Sequence, residues 1–159
     1  MNNILSKASV KFLREQFKKE NKKVVFTNGV FDIIHSGHVD YLIKAKTLGD
    51  VLIVGLNSDD SVRRVKGEKR PLISQTDRAF ILSNLKPVDY VVIFEEDTPL
   101  GIIKAIVPDV LVKGADWSPD KIVGSDIVLN NGGEVKNISF VNEQSTSRII
   151  DTILTRYTN

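Results

Sequence analysis

Val24-Val25-Phe26-Thr27-Asn28-Gly29-Val30-Phe31-Asp32-Ile33-Ile34-His35-Ser36-Gly37-His38 reads as a buried strand, a glycine turn and the start of a helix. The β-branched run Val24–Thr27 supplies the strand, and Val39, Leu42 and Ile43 mark the apolar stripe of the helix that follows. Backbone N–H groups at a helix N-terminus lack intrahelical partners and carry partial positive charge, so anionic oxygens bind there readily. His35 and His38, the only two histidines of the chain, sit at that position. Imidazoles add hydrogen-bond donors where a reaction builds negative charge. Gly29 permits close approach of the backbone to a ligand, and Gly37 keeps the space between the histidines open. The stretch therefore predicts phosphate chemistry at the carboxyl end of a strand.

Moving outward, strands and helices alternate. Val51–Leu56, Tyr90–Phe94, Val110–Val112 and Val135–Phe140 read as further strands, the first three being almost continuously apolar, as parallel strands covered on both faces are. A helix headed by Ser74 carries Ala79, Leu82 and Leu85, with Asp77 placed for a capping box. Another runs from about Pro99 to Ile106 and stops before Pro108. The last holds Ile149, Ile150, Ile153, Leu154 and Tyr157. This alternation predicts a single Rossmann-like, doubly wound α/β domain over residues 23–159 with a five-stranded parallel sheet. Residues 1–22 are expected to form a basic amphipathic helix ahead of it, with Val10, Leu13 and Phe17 on the apolar face. Ligands of such sheets bind at the carboxyl ends of the strands, near a switch in strand order.

Composition narrows the function. The absence of cysteine rules out disulfides, thiolate metal sites and a cysteine nucleophile. A net charge of +2 gives no case for nucleic acid, and no aromatic residues sit among the N-terminal lysines. No apolar run approaches the ~20 residues of a membrane helix, and no signal peptide is evident. A cytoplasmic protein without a membrane partner is expected. Zinc needs three or four ligands, and two histidines without cysteine do not supply them, so no protein-held metal is expected. Neither G-x-x-x-x-G-K-[ST] nor G-x-G-x-x-G occurs, which disfavours a P-loop NTPase and a standard dinucleotide site.

Three further segments follow predicted strands. Arg63, Arg64, Lys66, Lys69 and Arg70 place five cations in what reads as a loop, either a phosphate contact or a solvated charged stretch. Val112-Lys113-Gly114-Ala115-Asp116-Trp117 is a glycine turn with an acid and an aromatic, although Asp116 would also cap a turn and Trp117 would also serve as core. Ser145-Thr146-Ser147-Arg148 leads into the last helix. One hydroxyl suffices for an N-cap; three with an arginine would also suit the β- and γ-phosphates of a nucleotide.

Taken together and in this order, these segments resemble the nucleotidyltransferases with the H-x-G-H signature, the cytidylyltransferase-like superfamily. Gly29-Val30-Phe31-Asp32-x-x-His35-x-Gly37-His38 is similar to its first motif and Ser145-Thr146-Ser147-Arg148-Ile149 to its late S-[ST]-T-x-I motif. Within it the likeness runs to the heptose 1-phosphate adenylyltransferases of lipopolysaccharide core synthesis. It is carried by Phe94-Glu95-Glu96-Asp97-Thr98-Pro99, Val112–Trp117, Val123-Gly124-Ser125 and Asn131-Gly132-Gly133-Glu134-Val135. The resemblance implies a homodimer that moves AMP from ATP to D-glycero-β-D-manno-heptose 1-phosphate, with Mg²⁺ accompanying the ATP and a separate sugar kinase supplying the acceptor. It implies catalytic roles for His35, His38, Lys66 and Arg148. Nucleotide contacts would come from Asn28, Gly29, Val30, Phe31, Gly37, Gly114, Asp116, Ser145, Thr146 and Ser147, and acceptor contacts from Asp32, Arg63, Arg64, Lys66 and Arg70. Related glycerol 3-phosphate cytidylyltransferases form the alternative. The chain departs from the pattern at Glu143 and Gln144, where relatives have glycine, at Ser147 in place of threonine, and at Phe140, near the arginine of the cytidylyltransferases.

Overall fold

The computed structural model describes residues 3–114, 121–139 and 145–158. Its elements in chain order are β1 (Ile4–Leu5), α1 (Lys7–Lys19), β2 (Val24–Gly29), α2 (Ser36–Lys46), β3 (Val51–Asn57), α3 (Asp59–Lys66), α4 (Gln75–Ser83), β4 (Tyr90–Phe94), α5 (Leu100–Ile106), β5 (Val110–Gly114), α6 (Ser125–Asn130), β6 (Glu134–Ile138) and α7 (Thr146–Tyr157). The strands pair in the order β1-β4-β3-β2-β5-β6, every pair parallel.

Successive side chains of a strand point to opposite faces, and the apolar residues of the central strands divide accordingly. Val25, Leu52, Val54, Val91, Val110 and Val112 pack with Tyr41, Leu42 and Ala45 of α2 and with Ala79 and Leu82 of α4. Val24, Phe26, Val51, Ile53, Val92 and Leu111 pack on the other face with Val10 and Phe17 of α1, Ile102, Ile103 and Ile106 of α5, and Val128 of α6. The doubly wound parallel sheet expected from the sequence is present, with both faces covered. No described helix is long and apolar enough to cross a membrane.

The expectation of five strands is corrected to six. Ile4–Leu5 pairs with Val91 and Val92 of β4, and a two-residue strand offers no periodicity to read. The same pairing and the packing of α1 on α5 attach residues 4–19 to the sheet. Arg14 of α1 is buried and donates to the carbonyls of Ile106 and Val107 and to Asp109.

The cationic run is corrected as well. Arg63, Arg64 and Lys66 lie in helix α3, not in a loop. Ser58 caps that helix by accepting from the Ser61 N–H, Asp59 and Asp60 occupy its first turn, and the cations fill its last turn. This charge distribution complements the helix dipole, so the segment carried helix signals beneath its high charge. The short α6 was not expected. β6 ends at Ile138, and Phe140 lies outside the described residues.

One buried cation ties these layers to the loops above the sheet. Arg78 of α4 is 0% exposed. Its guanidinium donates to the carbonyl of Ile73 at 2.9 Å, to the carbonyl of Val30, and to the Asp59 carboxylate at 2.7 Å. Losing one partner of a buried pair strands the other charge in a low-dielectric setting. Arg78→Met is therefore expected to cost roughly 3 kcal/mol of unfolding free energy in urea titration, the low end for such pairs because Asp59 keeps some solvent. An unchanged midpoint and slope would show that this guanidinium is not what holds the segments.

Candidate active site

After β2 the chain winds through β3 and β4 on one side, then returns to lay β5 and β6 on the other. The switch point therefore lies between β2 and β5, and a crevice opens there past the strand ends. It holds a cavity of about 580 Å³.

The turn after β2 forms its floor. Asn28, Gly29, Val30 and Phe31 all line it. Phe31 adopts a left-handed backbone conformation, φ 48°, which bulky residues rarely take and which costs of order 1–3 kcal/mol where it occurs. That conformation lays the phenyl ring on Gly29, where an added β-carbon would come within 2.9 Å of the ring edge. The same ring stands 5.3 Å from the His38 imidazole. Glycine at position 29 and the strained Phe31 are thus two halves of one packing arrangement. The Asn28 carboxamide oxygen is buried without a hydrogen-bond partner among the described residues, an arrangement that proteins seldom leave outside functional sites.

His35 is the N-cap residue of α2 but makes no side-chain cap bond, unlike Ser6, Ser58, Ser74 and Ser145, each of which caps its helix. The start of α2 thus has no side-chain cap. The two imidazoles stack with centroids 3.9 Å apart, and the Nδ1 of each is buried without a partner among the described residues. Burial, with His35 alongside, pushes His38 down to about 4, and burial also lowers His35. Both rings are therefore neutral at neutral pH, each carrying one N–H donor. His38 lines the cavity directly, with His35 behind it.

The cationic residues separate by role. Lys66, at the end of α3, and Arg70 line the cavity. Arg63 pairs with Asp60, while Arg64 pairs with Asp97 and donates to the Glu95 carbonyl. Neither lines the cavity. Asp32 does not line it either. This carboxylate is 2% exposed and accepts from Arg70 Nε at 2.6 Å and from the backbone N–H groups of Leu72 and Ile73. Burial works against its charge, but those N–H donors and the guanidinium outweigh it and hold the carboxyl below its ordinary range. Asp32 thus aims Arg70 at the cavity from inside the wall.

At the far side, Thr146 and Ser147 from the start of α7 line the cavity, while the Ser145 hydroxyl is taken by the Arg148 N–H at 3.1 Å. Arg148 is exposed and does not line the cavity; Gly37 is buried in α2, and Gly114 ends β5. Asp116, Glu143 and Gln144 lie outside the described residues.

Reading the sequence missed several lining residues. Asn57 ends β3 and donates to Ser61, Asp97, Thr98 and Pro99 form the turn after β4, and Lys113 stands near the end of β5. Val65, Ile122 and Val123 complete the apolar part of the lining. Asn57 and Lys113 each follow a continuous apolar run, so the rule that ligands gather at the carboxyl ends of strands would have pointed to them.

Comparison with known proteins agrees with this geometry. Residues 26–152 match the model of the cytidylyltransferase-like family. The chain is 57% identical over 145 residues to "Bifunctional protein HldE" of Pelobacter propionicus, covering 91% of this chain and 30% of that protein. It is 60% identical over 136 residues to the protein of the same name from Citrifermentans bemidjiense, covering 86% and 28%. The chain thus spans less than a third of the curated relatives it matches. Among solved structures, the lipopolysaccharide core biosynthesis protein of Thermoplasma volcanium superposes with a TM-score of 0.61 at 29% identity, over 77% of this chain and 99% of that one. A pantoate-beta-alanine ligase from Francisella tularensis shares the fold, with a TM-score of 0.63 at 14% identity over 92% of this chain and 69% of that one. With its H-x-G-H turn at the switch point of a parallel sheet and a family match running from β2 into α7, the chain belongs to the cytidylyltransferase-like family.

Proposed function

We propose that this cavity transfers AMP from ATP to D-glycero-β-D-manno-heptose 1-phosphate, giving ADP-heptose and pyrophosphate. One observation carries the reading: the neutral His38 in the first turn of α2, the hydroxyls of Thr146 and Ser147 at the start of α7, and the cations Lys66 and Arg70 converge on one cavity. The high identity to the bifunctional HldE proteins and the likeness to a lipopolysaccharide core biosynthesis protein support this acceptor over a phosphorylated small alcohol. A sugar kinase activity would supply the acceptor, and we place both in the cytoplasm.

An acceptor phosphate already presents a nucleophilic oxyanion, so the enzyme need not remove a proton. Its oxygen forms a bond to the α-phosphorus as the α–β bridging bond breaks, and the electron pair leaves on pyrophosphate. Catalysis then consists of in-line positioning and of stabilising the charge that builds on the transferred group. His38, packed against His35, donates its one N–H to an α-phosphate oxygen. Thr146 and Ser147 hold the β- and γ-phosphates, and Lys66 and Arg70 hold the acceptor phosphate. Magnesium fits as an ion carried on the nucleotide: the described residues contain no cluster of three metal-ligating side chains, and phosphate oxygens with water suffice to hold it. It would neutralise charge on the polyphosphate.

A pyrophosphate-release assay crossing ATP and CTP with heptose 1-phosphate and glycerol 3-phosphate tests the substrate assignment. Release is expected with ATP and the heptose; turnover confined to CTP and glycerol 3-phosphate would overturn it. His38→Ala should lower kcat by roughly 10²–10³-fold, as loss of one transition-state donor does, with the circular dichroism unchanged. Wild-type turnover in that variant would remove the histidine from the mechanism.

The neutral state of His38 is open to direct measurement. Its ring proton signals should titrate near 4 in the free protein, and added nucleotide should raise that midpoint, because an anion favours the charged ring. Between that midpoint and the ordinary value of about 6.5, the unfolded chain binds a proton that the folded chain does not. Stability contributed at this position therefore falls as pH drops through that window. An ordinary midpoint near 6.5 in the free protein would contradict the neutral donor.

A further inference from the structure

Lys113 has no part in the step as written, yet it stands at the centre of the fold's switch point. It lies near the carboxyl end of β5, two residues beyond Phe26–Leu111, the last paired step of the β2–β5 ladder, and shares the cavity lining with Asn28 of the turn after β2. It lines the same cavity as His38. Strand order assigns it a flank. Lys66 and Arg70 follow β3 on one side of β2, whereas Lys113 belongs to β5 on the other, the side from which β6 leads to Thr146 and Ser147 at the start of α7.

An in-line displacement needs attacking and leaving oxygens on opposite sides of the phosphorus. With the α-phosphate held between the β2 turn and His38, the β3 flank faces one of those oxygens and the β5 flank the other. We propose that Lys113 is a catalytic cation for the leaving side. Its ammonium contacts the nucleotide's α–β bridge and takes up the charge that appears on pyrophosphate as that bond breaks, while Lys66 and Arg70 serve the acceptor. No proton changes hands in this step. The assignment rests on the nucleotidyl-transfer reading above and deepens it by giving the two cationic flanks separate substrates.

Half-burial without full solvation suits such a role, because a charge in a confined site acts more strongly on a neighbouring phosphate than one in water. Burial also lowers the Lys113 ammonium to about 8. Among the described residues, the other ionisable groups lining the cavity are His38, Lys66, Arg70 and Asp97.

The test compares wild type, Lys113→Met and Lys113→Arg in the full chain. Calorimetry reads the affinities for magnesium pyrophosphate and MgATP without acceptor, and steady-state kinetics reads kcat and the acceptor KM. Lys113→Met should weaken pyrophosphate and ATP binding and lower kcat by roughly 10²-fold, leaving the acceptor KM unchanged. Lys113→Arg should restore most of the binding. Wild-type affinity for pyrophosphate should decline as pH rises above about 8, and the arginine variant should lack that decline. Unchanged pyrophosphate and ATP affinity in Lys113→Met, or a defect confined to the acceptor KM, would overturn the assignment. If the methionine variant does not fold, the pH profile of Lys113→Arg decides alone: a decline matching wild type rejects the lysine. If wild type turns over no sugar phosphate but Lys113→Met still loses pyrophosphate affinity, the acceptor assignment fails and the lysine assignment stands.

Discussion

The cavity depends on the buried guanidinium of Arg78. A parallel sheet fixes where its strands end, but the segments that leave those ends are held only by what they bond to. Arg78 gathers three of them: the turn after β2 through the Val30 carbonyl, the start of α3 through Asp59, and the segment before α4 through the Ile73 carbonyl. Asp32 closes the same frame from the other direction, taking the N–H groups of Leu72 and Ile73 and the side chain of Arg70. Two buried charges of opposite sign thereby set the positions of the turn after β2 and of Arg70, which shares the cavity with it. Neither touches the cavity. Buried charge is costly unless it is paired and hydrogen-bonded, and here the pairing also does the work of aligning the site.

The chemistry follows from keeping different kinds of positive group apart. Neutral imidazoles and backbone N–H groups sit at the turn, where the α-phosphate of the transferred nucleotidyl group would lie, and full cations stand on the flanks. A donor whose own charge has been removed by burial binds a ground-state phosphate less strongly than a cation would. It still gains as charge develops, which is the condition for lowering a barrier rather than only tightening binding. The left-handed Phe31 and the bare Gly29 beneath its ring belong to the same design, since the ring that packs on the glycine also supports His38.

Much of this was legible in the sequence. The alternation of short apolar runs with helical stripes showed the doubly wound sheet, because burial on both faces leaves continuous apolar strands such as Val51–Leu56. The pair of histidines beside Gly29 and Gly37 pointed to the turn after β2, which lines the cavity, for a local reason, the unpaired N–H groups of a helix start. What escaped reading was non-local or too short. Ile4–Leu5 acquires its strand character only from pairing with β4. The charges of Arg63 and Arg64 suggested phosphate contacts, but Asp60 and Asp97 claim them: the first is an i,i+3 pair that shows only once the segment is seen as a helix, and no spacing rule announces the second. Arg78, inside an ordinary amphipathic helix, gave no sign that it would be wholly buried. Lys113 was within reach, one residue before a glycine already singled out.

A crystal structure of the protein with magnesium and a non-hydrolysable ATP analogue tests the central claim most directly. We expect the α-phosphate to lie between the Gly29–Phe31 backbone and the His38 ring, with a ring nitrogen within about 3.2 Å of a phosphate oxygen and the β- and γ-phosphates turned toward Thr146 and Ser147. An analogue bound with its phosphates away from α2, leaving the His38 nitrogens without a polar contact, would contradict it.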